Sequence, residues 1–144
     1  MNAWKRLAVS AAALALGAVA AVAVSPGTAN AGYVETNCTV RSGGPVVLYW
    51  DYWQGGASVC LSGFFNTLSG YYFDNDGLAG AGTSVYNNAA SAFNMDTTSQ
   101  VLIWSGTNHT GSFQNLTPCC DEGSALNLGP VANQDKSITW SSYP

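Results

Sequence analysis

Charge is what this sequence lacks most. Only 8% of its 144 residues are Asp, Glu, Lys or Arg, where about a quarter is usual in a soluble domain. Bases are the scarcer sign. Beyond residue 31 only Arg41 and Lys136 remain, against Glu35, Asp51, Asp74, Asp76, Asp96, Asp121, Glu122 and Asp135, so residues 32–144 carry 2 − 8 = −6. That balance argues against nucleic acid, which is held by clustered Lys and Arg, and equally against an anionic lipid surface. Histidine is nearly missing too. The one copy, His109, sits in the polar run "GTNHTG", where a solvated turn is expected. A Cys/His zinc cluster therefore lacks ligands, and the side chain that general acid–base catalysis uses most is almost absent. We expect no catalytic role.

Long apolar runs are also absent after the N-terminus. Lys5 and Arg6 are followed by the uncharged stretch Leu7–Val24, then by Pro26 and the small-x-small triplet Ala29-Asn30-Ala31. That order reads as a signal peptide, residues 1–31, cleaved after Ala31. The expected product is secreted, lies outside the cell and keeps no membrane anchor. Residues 32–144 are then a single domain of ordinary size, taken as a monomer.

What is present points to β-structure. Short β-rich runs are bounded by Gly, Asn and Ser: "PVVLYW" (45–50), "ASVCLS" (57–62), "QVLIW" (100–104), "GSFQNL" (111–116) and "KSITW" (136–140). "GYYF" (70–73) is a weaker candidate ahead of a Gly/Asp-rich loop. No segment keeps a helical period, so an all-β sandwich or barrel is expected. Four cysteines, Cys38, Cys60, Cys119 and Cys120, suit an oxidising compartment and allow three pairings. Cys38–Cys60 is the favoured staple; the adjacent Cys119 and Cys120 either pair together or each take a distant partner.

The chain also repeats itself once. "VLYWDYWQGG" (47–56) parallels "VLIWSGTNHTG" (101–111): each ends a strand on an aromatic, Tyr49 or Trp104, with a glycine seven residues on, Gly56 or Gly111. Each copy then reaches paired carboxamides and a hydroxyl, Asn87-Asn88 with Ser91 and Asn133-Gln134 with Ser137, before a strand holding Phe93 or Trp140. The glycine supplies a positive φ in the hairpin. The serine can bond a backbone group exposed by the bend.

This order resembles the βγ-crystallin Greek-key motif, present in two copies. Within that superfamily, "LYWDYWQGGASVC" and "NNAASAFN" are similar to a secreted peptidase-inhibitor family that includes the streptomycete metalloproteinase inhibitor and killer-toxin-like proteins. The resemblance implies a βγ-crystallin-like sandwich of two Greek-key motifs, export, and a non-enzymatic role. It also implies where calcium would sit: Asn87, Asn88, Ser91, Asn133, Gln134 and Ser137. The pattern is incomplete, since its last serine is Ala92 in one copy and Ile138 in the other and no carboxylate stands in the first two places. Hard cations gain affinity with carboxylate count, so no cofactor is required and calcium is a possible, weak ligand.

An inhibitor needs a stiff loop for a protease cleft. "DYWQGG" (51–56) offers Tyr52 and Trp53; "FDNDGLAGAG" (73–82) is glycine-rich and floppy; "TPCCDEG" (117–123) offers Asp121 and Glu122. Trp50 is assigned to the core and Tyr52 and Trp53 to the surface. The leading expectation is an extracellular protease as partner. The alternatives are a structural or weakly calcium-binding module, or a toxin-like or glycan-binding protein.

Overall fold

The computed structural model describes residues 30–144. The expected signal peptide lies outside the described residues except for Asn30 and Ala31. Eight strands follow in order: β1 (Tyr33–Val34), β2 (Val46–Tyr49), β3 (Ser58–Ser62), β4 (Ser91–Asn94), β5 (Ser99–Trp104), β6 (Phe113–Leu116), β7 (Ala125–Asn127) and β8 (Ser137–Ser142). They form an antiparallel five-stranded sheet, β1-β3-β2-β4-β7, and a three-stranded one, β6-β5-β8.

Alternation along each strand decides what faces inward. Val46 and Leu48 of β2, Val59 and Leu61 of β3, and Ala92 of β4 meet Val101 and Ile103 of β5, Leu116 of β6 and Ile138 of β8 in one core. Each fully buried Val, Leu or Ile among them contributes about 1.5–3 kcal/mol. Phe65 and Phe73 join the same core, Phe65 edge-on to Tyr71 at 5.0 Å and Phe73 edge-on to Trp50 at 6.0 Å. On the outer face Val47 opposes Cys60. Cys60 is bonded to Cys38, with Cα atoms 5.9 Å apart, so the 35–40 segment covers that pair.

Two features tie the halves together. β7 lies in the second half of the chain but pairs with β4 of the first: Ser91↔Asn127, Ala92↔Leu126 and Phe93↔Ala125. In return Phe65, from the first half, bridges Ile138 of β8, with N–H···O bonds of 3.0 and 2.9 Å. The expected strand at 70–73 reduces to a single bridge, Tyr72↔Ser84. Gly70 has φ +87°, which an extended run does not allow. Asn30 is docked on the domain: its Oδ1 accepts from Asn66 N (2.7 Å) and Thr67 N (3.1 Å), and its Nδ2 donates to Thr67 O (2.8 Å).

Candidate functional site

The β2–β3 connection is a tight arch, Asp51–Gly56, with a 3₁₀ turn at Tyr52–Gln54. Three consecutive N–H groups are each held by a side chain. Asp51 Oδ1 accepts from Tyr52 (2.7 Å), Asn127 Oδ1 from Trp53 (2.8 Å) and Ser91 Oγ from Gln54 (2.9 Å). Ser91 also donates to Asp51 O at 2.6 Å. Its hydroxyl, on a residue 1% exposed, therefore ties both ends of the turn to β4. Trp53 and Gln54 adopt φ +57° and +62°, the left-handed region, at about 1–2 kcal/mol per residue for a side chain with a Cβ. Trp53 is 84% exposed and Tyr52 47%, whereas Trp50 packs against the core. Gly56 (φ +71°) closes the arch where a Cβ would press on Trp50 and on Ala79 O.

The β5–β6 connection repeats the serine lock, the left-handed residues and the closing glycine of this arch. Ser137 Oγ donates to Gly106 O (2.6 Å) and accepts from His109 N (3.0 Å). Asn108 and His109 take φ +54° and +59°, and Gly111 φ +83°. The tip differs: Thr107, Asn108 and His109 stand where Tyr52, Trp53 and Gln54 stand in the first arch. His109 is half-buried with Nε2 3.2 Å from Phe65 O, a structural contact in place of the solvated turn expected. Scaffold and tip are thus separable, and only one tip is aromatic.

The carboxamide pairs sit behind the arches, related by an approximate two-fold exchange of bonds. Asn87 N donates to Asp135 O and Asn133 N to Ala89 O, both at 2.8 Å. Asn87 and Asn133 share φ values of +63° and +56°. Asn88 Nδ2 donates to Ser84 O (3.0 Å) and Tyr86 O (3.1 Å). Gln134 is exposed, its N–H on Val131 O at 2.9 Å. Asp135, with no exposed surface, accepts from Ala89 N at 2.9 Å through Oδ1. Its Oδ2 and Asn87 Oδ1 are buried without a hydrogen-bond partner. Burial pushes the Asp135 carboxyl up to about 7, against the opposing pull of nearby N–H groups and of Lys136. Among the described residues no group of three His, Cys, Asp or Glu side chains could hold a metal.

Asp121 and Glu122 are exposed in the loop that carries the bonded pair Cys119–Cys120. Thr117 Oγ1 donates to Glu122 O (3.0 Å) and Cys119 N to Asp96 O (2.7 Å). This loop leads into the Ala125 end of β7, whereas the aromatic arch is clamped at Asn127, the other end. Beside the aromatic tip lies an open cleft of about 230 Å³ lined by Trp53, Gln54, Ser91, Ala125, Leu126 and Asn127. Asn127 is the member sequence reasoning missed. It belongs to a three-residue strand with no strong β pattern, and its role depends on pairing across the two halves.

Solved structures share this architecture. One, from work on the evolution of the eye lens beta-gamma-crystallin domain fold, superposes with a TM-score of 0.55 at 15% identity, covering 78% of this chain and 99% of that one. Another, the crystal structure of the N-terminal domain of protein S, gives a TM-score of 0.50 at 19% identity, covering 69% and 98%. At such identities the likeness is one of fold: the chain has the βγ-crystallin domain fold. No protein-family model matches the chain, and no curated protein does.

Proposed function

We propose that this chain is an exported, non-catalytic binding module that inhibits a peptidase by seating the Asp51–Gly56 arch in its cleft. The βγ-crystallin fold suits a structural or binding module and leaves the activity to its loops. The observation that carries the reading is the triple clamp on Tyr52, Trp53 and Gln54. It settles the ordering cost of the loop before any partner arrives, and it presents the side-chain types that dominate interface energetics. Because Trp53 and Gln54 turn left-handed, the arch acts as a plug and not as an extended substrate mimic. The pairs Cys38–Cys60 and Cys119–Cys120 suit export. The test is equimolar incubation with metallo-, serine and cysteine peptidases and measurement of residual activity. Inhibition of none of them refutes the proposal.

A second reading, a weakly calcium-binding module, is favoured by one observation: two buried oxygens without partners, Asn87 Oδ1 and Asp135 Oδ2. The fit is poor beyond them. Ser91 and Ser137 each already accept one N–H and donate to one carbonyl, and within the described segments 87–91 and 133–137 Asp135 is the only carboxylate. Calcium specific for the native state must raise stability. A melting temperature equal in millimolar calcium and in chelator rules this reading out.

A further inference from the structure

We infer, on the peptidase reading above, that the target is a peptidase whose primary specificity pocket is wide and apolar, filled by the Trp53 indole, and not one that selects Lys or Arg. Trp53 is the most exposed large hydrophobic side chain of the described residues at 84%, ahead of Tyr72 at 58%. It stands at the apex of a turn whose neighbours fold back, so the indole leads and the backbone follows. A pocket closed off for small side chains would stop it at the rim.

Charge narrows the choice further. Peptidases that select Lys or Arg place a carboxylate at the pocket floor, and those that select aromatics present an apolar slot. The described residues offer two bases, and both are engaged. Arg41 Nη2 lies 2.6 and 2.8 Å from the Glu35 carboxylate oxygens. Lys136 Nζ donates to Ser105 O at 2.8 Å and lies 5.9 Å from the Tyr86 ring centroid. Neither base belongs to the aromatic arch, whose own charged residue is Asp51. An acidic pocket would therefore meet no cation and would be repelled by Asp51. The cleft behind the indole, formed by Gln54, Ser91, Ala125, Leu126 and Asn127, carries no ionisable side chain. The cleft is therefore neutral, and desolvating it exposes no unpaired charge.

The experiment measures inhibition constants of the protein against three peptidases of related fold: one with an apolar slot, one with an acid-bottomed pocket and one with a small pocket. Trp53→Ala and Trp53→Phe variants, checked for unchanged melting temperature, run beside it. The expected result is inhibition of the apolar-slot enzyme, weakened about 30-fold or more by Trp53→Ala, as for an aromatic anchor, and by less than about tenfold by Trp53→Phe. Inhibition of the apolar-slot enzyme that Trp53→Ala leaves intact overturns the inference and spares the peptidase reading. So does preferential inhibition of either of the other two. Absence of inhibition across all classes overturns the peptidase reading itself.

Discussion

Replacing Asp135 by asparagine should stabilise this protein at neutral pH and leave it unchanged in acid. The carboxyl has no exposed surface, one oxygen on Ala89 N–H and the other without a partner. Burial pushes its titration from the ordinary 3.8 up to about 7. The folded chain therefore holds a proton that the unfolded chain has already released between those two values. Stability falls as pH rises through that interval and is flat above it. At 1.36 kcal/mol per tenfold change, a difference of about three powers of ten amounts to about 4 kcal/mol, on the order of 15 °C in Tm. The carboxamide of the Asp135→Asn variant keeps an acceptor for Ala89 N–H and cannot ionise. The groups around it, Asn87, Asn88, Tyr86 and Lys136, are common to both proteins, as are the depressed carboxyls Glu35 and Asp96. Their pH dependence cancels in the difference. Denaturant unfolding of both proteins from pH 3 to 8.5, in chelator, gives the assay. The gap should be near zero at pH 3, open between about 4 and 7, and reach a few kcal/mol at pH 8. Parallel curves, or a gap that closes with rising pH, would show that the buried acid does not carry the proton assigned to it.

Three further substitutions bear on the arches. Ser91→Ala removes the bonds to Gln54 N and Asp51 O and should cost about 2 kcal/mol; Ser137→Ala removes the equivalent pair to His109 N and Gly106 O and should cost the same. Stability losses, read from denaturant unfolding, that differ by more than twofold would contradict the equivalence of the arches. Trp53→Gly relieves a left-handed side chain worth about 1–2 kcal/mol and loses about 0.5–1 to backbone entropy. The net gain should be about 0.5–1 kcal/mol by the same assay, with peptidase inhibition abolished; a loss above about 1 kcal/mol would mean that the indole packs where it stands exposed.

What was legible in the sequence was what short-range chemistry dictates. Tyr49 and Trp104 end their strands, Gly56 and Gly111 take the positive φ that their spacing suggested, and Ser91 and Ser137 lock the bends. The exposure of Tyr52 and Trp53 was also readable, because a tight turn beyond a strand must lift its side chains off the sheet. What stayed hidden depends on partners far along the chain. β7 shows no alternating pattern strong enough to announce itself, and it becomes a strand only because β4 offers an edge. Asn127 gains its role from that pairing. Asp135 lies in a polar run where a carboxylate is normally solvated, and only the packing of one half on the other buries it. His109 likewise reaches Phe65 O, a residue of the opposite half.

The exchange of β7 for the Phe65 bridge has a consequence for how the chain holds together. Each half of the molecule completes the other's sheet, as the arms of a domain-swapped dimer do, but here both arms belong to one polypeptide joined through Met95–Thr98. Association is therefore intramolecular, at the millimolar effective concentration a short tether provides, and it does not weaken on dilution. Severing that tether would turn one folding reaction into a bimolecular one. The clamp on the aromatic arch, which draws Asn127 from one half to hold Trp53 in the other, would then appear only when the fragments meet.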